Sequence, residues 1–143
     1  MSMLTLKVAQ DIINAALDEA DRRGLKPLAV VVLDSRGSTK ASATQDGTSL
    51  LREKVAHGKA FGALGLGLGS RAIFNRAQEQ PYFVSAVNAI AGGSLVPVPG
   101  GVLIKDSSGE TLGAVGISGD SSDNDEACAV VSINAVSLQP DAG

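Results

Sequence analysis

The spacing of apolar positions changes several times along the chain, and each change marks an element. Over residues 5–23, Val8, Ile12, Ile13, Ala16, Leu17 and Ala20 recur at helical spacing and predict an amphipathic helix. Arg22 and Arg23 suit its carboxyl end, Gly24 suits the residue just past it, and Pro27 blocks continuation. The unbroken run over residues 28–33, rich in valine, predicts a buried strand. Asp34 and Gly37 then make a turn, and residues 38–44 return as a strand of small and polar residues.

A second turn at Asp46-Gly47 leads to Ser49, placed to cap a helix running through about Leu64 with Leu51, Val55 and Phe61 on its apolar stripe. Gly62, Gly65, Gly67 and Gly69 weaken that helix at roughly 1 kcal/mol each relative to alanine, so it should end there in a loop. Short helices follow near residues 71–78 and 82–91, divided by Pro81. Residues 102–105 and 110–118 read as strands around a turn at Asp106 and Gly109, a second hairpin with the logic of the first. A last helix is expected over 124–138, and residues 139–143 should fray. No linker interrupts this order, so residues 1–143 are expected to form one domain, an α/β layer structure with a mainly antiparallel sheet covered by helices.

Composition narrows the chemistry. Twelve basic against 15 acidic residues leave a net charge of −3, which lacks the basic footprint of a nucleic-acid binder. One cysteine excludes an internal disulfide, and with one histidine the chain has too few Cys and His ligands for the usual closed structural zinc site. Four aromatic rings (Phe61, Phe74, Tyr82, Phe83) are too few for a stacking platform. No apolar run reaches the roughly 18 residues of a membrane span, and the amino terminus lacks a secretory core, so a soluble cytoplasmic protein is expected, without membrane or nucleic-acid partners.

The segment Pro97-Val98-Pro99-Gly100-Gly101, with the strand that follows it and the turn at Asp106, leads to Gly109 and then to the strand ending in Ser118-Gly119-Asp120. Ser122, Asp123, Asn124, Asp125, Glu126, Ala127, Cys128 and Ala129 come next. Upstream stand Asp34 and Gly37, the Asp46-Gly47 pair and Gly58-Lys59-Ala60, in that order. In this combination the chain resembles the GlcG/HbpS-like family, which includes the C-terminal domain of PduO-type proteins. The resemblance implies a profilin-like fold with a five-stranded antiparallel sheet. It also implies assembly from dimers up to octamers, a small-molecule ligand, and haem as the cofactor that some members bind. Haem-binding relatives can use a histidine on the first helix as axial ligand; here that helix carries no His, Met or Cys. Thr44 stands where members commonly carry arginine, two residues before Asp46.

His57, the only histidine, follows Glu53 by four residues and can share a helix face with it. A carboxylate beside an imidazole suits a general base or a haem ligand, and equally a weak surface ion pair. Lys59 can serve as a base or hold an anionic group, or can sit buried against a carboxylate such as Asp34 or Asp46. Two residues apart, about 200° around a helix, His57 and Lys59 cannot face one pocket within a subunit.

Gly100 and Gly101 offer either backbone N–H groups for an anion or a bend with no room for a side chain. With them, Asp46, Ser118 and Gly119 complete the expected ligand-binding set; Ser118 lacks the Gly-x-Ser-x-Gly frame of a nucleophile. Residues 65–70 lack the Lys-Ser/Thr of a phosphate loop and read as a flexible loop. Asp123, Asp125 and Glu126 suit a helix amino terminus better than a cation site, since the EF-hand spacing is missing. Cys128 reads as a buried, inert thiol. The expected function is an oligomeric small-molecule-binding protein; the alternative is an enzyme of proton transfer (isomerase, lyase or hydratase) with Lys59 or His57 as base, helped by Glu53.

Overall fold

The computed structural model of the protein describes residues 3–143. Helix α1 spans Leu6–Arg23, strands β1 and β2 span Ala29–Asp34 and Thr39–Thr44, and helices α2, α3 and α4 span Arg52–Leu66, Ser70–Glu79 and Pro81–Ile90. Strands β3 and β4 span Gly101–Lys105 and Thr111–Ser118, α5 spans Ser122–Ala135, and β5 spans Gln139–Asp141. The strands lie in the order β2-β1-β4-β3-β5 with every neighbouring pair antiparallel. This is the five-stranded antiparallel sheet flanked by helices that the family resemblance implies.

Strand β1 shows why the sheet is covered on both faces. Its side chains alternate: Val30 and Val32 join a core with α1 and α5, whereas Ala29, Val31 and Leu33 join Ala56, Ala60 and Ala63 of α2. An unbroken valine run is therefore what a central strand between two helical layers requires. On the α2 side the inward residues are alanines, so the helix lies close to the sheet; a Cβ on Gly116 would collide with the Ala56 carbonyl. Ile73 of α3, Val84 of α4 and Leu95 of the segment after α4 form a third cluster.

Local signals explain most boundaries. Thr5 caps α1 by accepting from the Val8 N–H at 3.1 Å, and Gly24 ends it in the left-handed conformation at φ 67°. Asp34 holds the first turn by accepting from the Arg36 and Ser38 N–H groups at 2.9 and 3.1 Å. Ser121 caps α5 by accepting from the Asn124 N–H.

The last helix ends at Ala135 and not at Leu138, and three other expectations need correction. Ser49 does not cap α2: the residue before the helix is Leu51, which makes no side-chain cap, because Ser49 lies in a preceding turn where its carbonyl accepts from the Arg52 N–H. The glycine-rich segment is mostly helical, since α2 continues to Leu66, Gly67 terminates it and α3 begins at Ser70. The carboxyl-terminal residues do not fray. They leave α5 through Ser137 at φ 61° and form β5 on the free edge of β3, pinned by Lys105 to Asp141 at 2.7 Å. Pro140 is tolerated because an edge strand need not donate outward.

Candidate functional site

Lys59 lies on the sheet-facing side of α2 and is 2 % exposed. Its ammonium donates to the Ile117 carbonyl at 2.9 Å and to Asp125 Oδ2 at 3.2 Å. Asp125 belongs to α5 and is equally buried. Lys59 therefore ties the helix on one face of the sheet to the helix on the other. Gly100 makes the passage possible: a Cβ there would stand 2.8 Å from Lys59 Nζ and 2.7 Å from the Ile117 carbonyl oxygen. Burial pushes the Lys59 pKa down and the Asp125 pKa up, while the attraction between the two opposes both shifts. Asp125 Oδ1 also accepts from the Asp120 N–H at 3.0 Å.

The partner of Lys59 is thus neither Asp34 nor Asp46. Asp34 is occupied by its own turn, and Asp46 lies in a separate open groove of about 500 Å³ with Asp21, Thr44 and Gln45. An ammonium sealed from solvent and engaged by two oxygens serves as a structural tie.

Nearby residues of the expected ligand set are also engaged internally. The Gly101 N–H donates to the buried Ser70 hydroxyl at 2.7 Å, so it is not free for an anion, and the Gly100 carbonyl accepts from the Ile117 N–H. Ser118 is fully buried and its hydroxyl accepts from Arg52 at 3.2 Å. Gly119 presses on the Pro27 carbonyl, where a Cβ has no room. The acidic start of α5 is satisfied within the chain, because Arg71 binds Asp123 at 2.5 Å and Glu126 at 2.9 Å. Cys128 is buried, and desolvation pushes its thiol up to about 11.

His57 points elsewhere. It is half-buried and its ring stacks on Phe61, one turn further along α2, with centroids 5.5 Å apart and planes 18° from parallel. Among the described residues no hydrogen bond joins it to Glu53. Glu53, Lys54 and His57 line a cavity of about 320 Å³ against the backbone of residues 92–94. Phe61, Gly62 and Gly65 line a second cavity of about 330 Å³ whose far wall is Val87, Ile90 and Leu95. The His57–Phe61 stack stands between the polar cavity and the apolar one.

The structure thus brings His57 and Glu53 to one cavity and Lys59 and Gly100 to one buried tie, and it leaves Asp46 in a third place. Sequence reasoning singled out neither Lys54 nor the α4 residues that line these cavities, and it read Gly65 as part of a loop. The available signal was the spacing Glu53, His57, Phe61, Gly65, a stripe of i,i+4 neighbours that runs from charged to apolar.

The fold is that of an α/β protein, a helix-covered antiparallel sheet whose one imidazole lines a small polar cavity at the surface of α2. Residues 4–134 match the family model described as haem degrading protein HbpS-like, and the chain belongs to that family. No curated protein matches it in sequence. Among solved structures it is similar to a PduOC:heme complex, with 22% identity, TM-score 0.85 and coverage of 96% of this chain and 97% of that one. It is also similar to HbpS, with 24% identity, TM-score 0.80 and coverage of 94% and 91%. A third similar structure is the Klebsiella pneumoniae protein ORFY, with 22% identity, TM-score 0.84 and coverage of 96% and 93%. At these identities the likeness is one of fold. Among the described residues no helix is long and apolar enough to cross a membrane.

Proposed function

We propose that this chain is a haem-binding protein that uses His57 as the axial ligand and works as a homo-oligomer. The observation that carries the reading is the position of His57, half-buried on the polar cavity and stacked on Phe61, which lines the neighbouring apolar one. An imidazole held by a neighbour beside apolar walls suits a metal-centred macrocycle. The family description and the haem complex of a relative support the same ligand class. Haem would supply a redox-active iron; the protein contributes the imidazole, the apolar walls and the exclusion of water. The open cavity covers only part of such a ring, and Ile90 at 86% exposed and Tyr82 at 70% give a second copy apolar surface to cover the rest. The sealed environment of Lys59 favours this reading over proton-transfer catalysis.

Haem titration of the wild type should give a shifted Soret band at micromolar haem, and His57→Ala should abolish or strongly weaken it. No shift in the wild type overturns the proposal, and an unchanged spectrum in His57→Ala overturns the ligand assignment. Size exclusion with light scattering should show an oligomer; a clean monomer removes the shared pocket.

A further inference from the structure

We infer that the Asp46-Gly47 step is a site of spontaneous covalent modification, at which the native protein converts Asp46 to isoaspartate, and that no other aspartate does so. The inference is independent of the haem reading.

Asp46 and Gly47 lie in the turn between β2 and α2, and both are exposed. The turn is fastened on either side of them. The Gln45 N–H donates to the Leu28 carbonyl at 2.9 Å, Gln45 Oε1 accepts from the Leu28 N–H at 2.8 Å, and the Thr48 hydroxyl donates to the Gln45 carbonyl at 2.7 Å. Between these fastenings no described residue donates to the Asp46 carboxylate, and the Gly47 N–H has no acceptor among the described residues. Gly47 stands at φ 84°, a conformation that favours glycine, so the residue after Asp46 has no side chain to shield its nitrogen.

In this step the Gly47 nitrogen bonds to Asp46 Cγ, a C–O bond of the carboxyl group breaks, and the amide proton leaves with the hydroxyl as water. The product is a cyclic imide. Water then adds at the main-chain carbonyl of the imide and opens the ring, so that the chain runs on through Cγ and the α-carboxylate is left free. One water leaves and one returns, and nothing is oxidised or reduced. The main chain must rotate at Asp46 for the ring to close, and the bond that closes the turn is a single one, from the Thr48 N–H to the Gln45 carbonyl at 3.3 Å.

The other aspartates lack this combination. Asp11, Asp18, Asp21, Asp123 and Asp125 lie in α1 and α5, where helical geometry fixes the main chain. Every asparagine also lies in a helix. Asp34, Asp106 and Asp120 each precede a small serine, but their carboxylates are occupied. Asp34 Oδ1 accepts from the Arg36 and Ser38 N–H groups, and Asp106 Oδ1 accepts from those of Ser108 and Glu110. Asp120 accepts from the Lys26 N–H and the Asn124 amide, and Asp141 is held by Lys105. Outside the helices, only Asp46 joins a free carboxylate to a following glycine.

The test ages the folded protein at physiological temperature and neutral pH and then digests it with trypsin, which releases residues 41–52 as one peptide. Reversed-phase separation with mass spectrometry reads isoaspartate as a second form of that peptide with unchanged mass, and the imide as a form lighter by one water. Transfer of a labelled methyl group by an isoaspartate-specific carboxyl methyltransferase counts the total. A synthetic peptide of residues 41–52, aged in parallel, sets the time at which conversion is due. Nearly all of the isoaspartate should fall in the 41–52 peptide. Asp46→Glu, whose longer side chain must close a larger ring, should remove it while circular dichroism shows the fold unchanged. Isoaspartate spread evenly over the peptides of Asp34, Asp106 and Asp120 would overturn the assignment. So would an unmodified 41–52 segment in the folded protein at a time when the free peptide has converted, because the turn would then protect the step.

Discussion

Replacing Lys59 with methionine keeps most of the apolar stem of the side chain but removes the ammonium and strands Asp125. Asp125 is 1% exposed and would retain one strong donor, the Asp120 N–H at 3.0 Å, having lost the ammonium at 3.2 Å. Removing one member of a buried ion pair costs about 3–5 kcal/mol, because the remaining charge has no compensation. Against a total stability of roughly 5–15 kcal/mol that is a large fraction, and it corresponds to a melting temperature lower by roughly 10–15 °C.

The double variant Lys59→Met/Asp125→Asn should recover most of this loss. Its amide still accepts from the Asp120 N–H and no longer carries charge, so the deficit should fall below about 2 kcal/mol, since a neutral replacement of a buried pair is often tolerated. Urea unfolding of the wild type, both single variants and the double variant closes the cycle. The pH dependence gives a second check. In Lys59→Met the Asp125 pKa, already raised by burial, loses the opposing attraction of the ammonium and rises further. A carboxyl with a raised folded pKa is destabilising once pH exceeds its unfolded value, so the deficit of the variant should be greatest near neutrality and shrink toward pH 4. Single-variant losses that add in the double variant, or a deficit that grows on acidification, would refute the buried tie.

Two further outcomes follow from the same packing. Cys128, buried and with its thiol pushed up to about 11, should ignore a thiol reagent at pH 8 in the native protein and react fully in urea; rapid native labelling would contradict its burial. The Asp141 carboxyl is held below its usual value of 3.8 by its hydrogen bond from Lys105. A depressed folded pKa gives stability that is present above that usual value and is lost as pH falls through the folded one, so amide protection in β5 should fall below pH 3.8 before the central strands open. Equal loss at β1 and β5 would show that the edge strand is not held by this pair.

What was legible in the sequence was local. The valine run of β1, the Asp34 turn and the Gly24 terminus each carry their own physical cause within a few residues, and the structure places all three as expected. The corrected features depend on distant partners. Nothing in Gln139-Pro140-Asp141 resembles a strand; it becomes one because β3 has a free edge and Lys105 a free ammonium. The expected helix through Leu138 ran too long for the same reason, since the apolar spacing continues past the point where Ser137 turns the chain toward that edge.

The candidate site was legible in residue type and illegible in pairing. Asp125 lies 66 residues from Lys59, and its place in the first turn of a helix already had a sufficient local explanation. His57 had two neighbours at four residues, Glu53 before it and Phe61 after it, and spacing alone cannot choose between them. The ring stacks on Phe61 while still lining the polar cavity with Glu53. The helix thus has two different faces. Its inward face uses Lys59 to hold two layers together, and its outer face carries the His57–Phe61 stack, with His57 on the polar cavity and Phe61 on the apolar one.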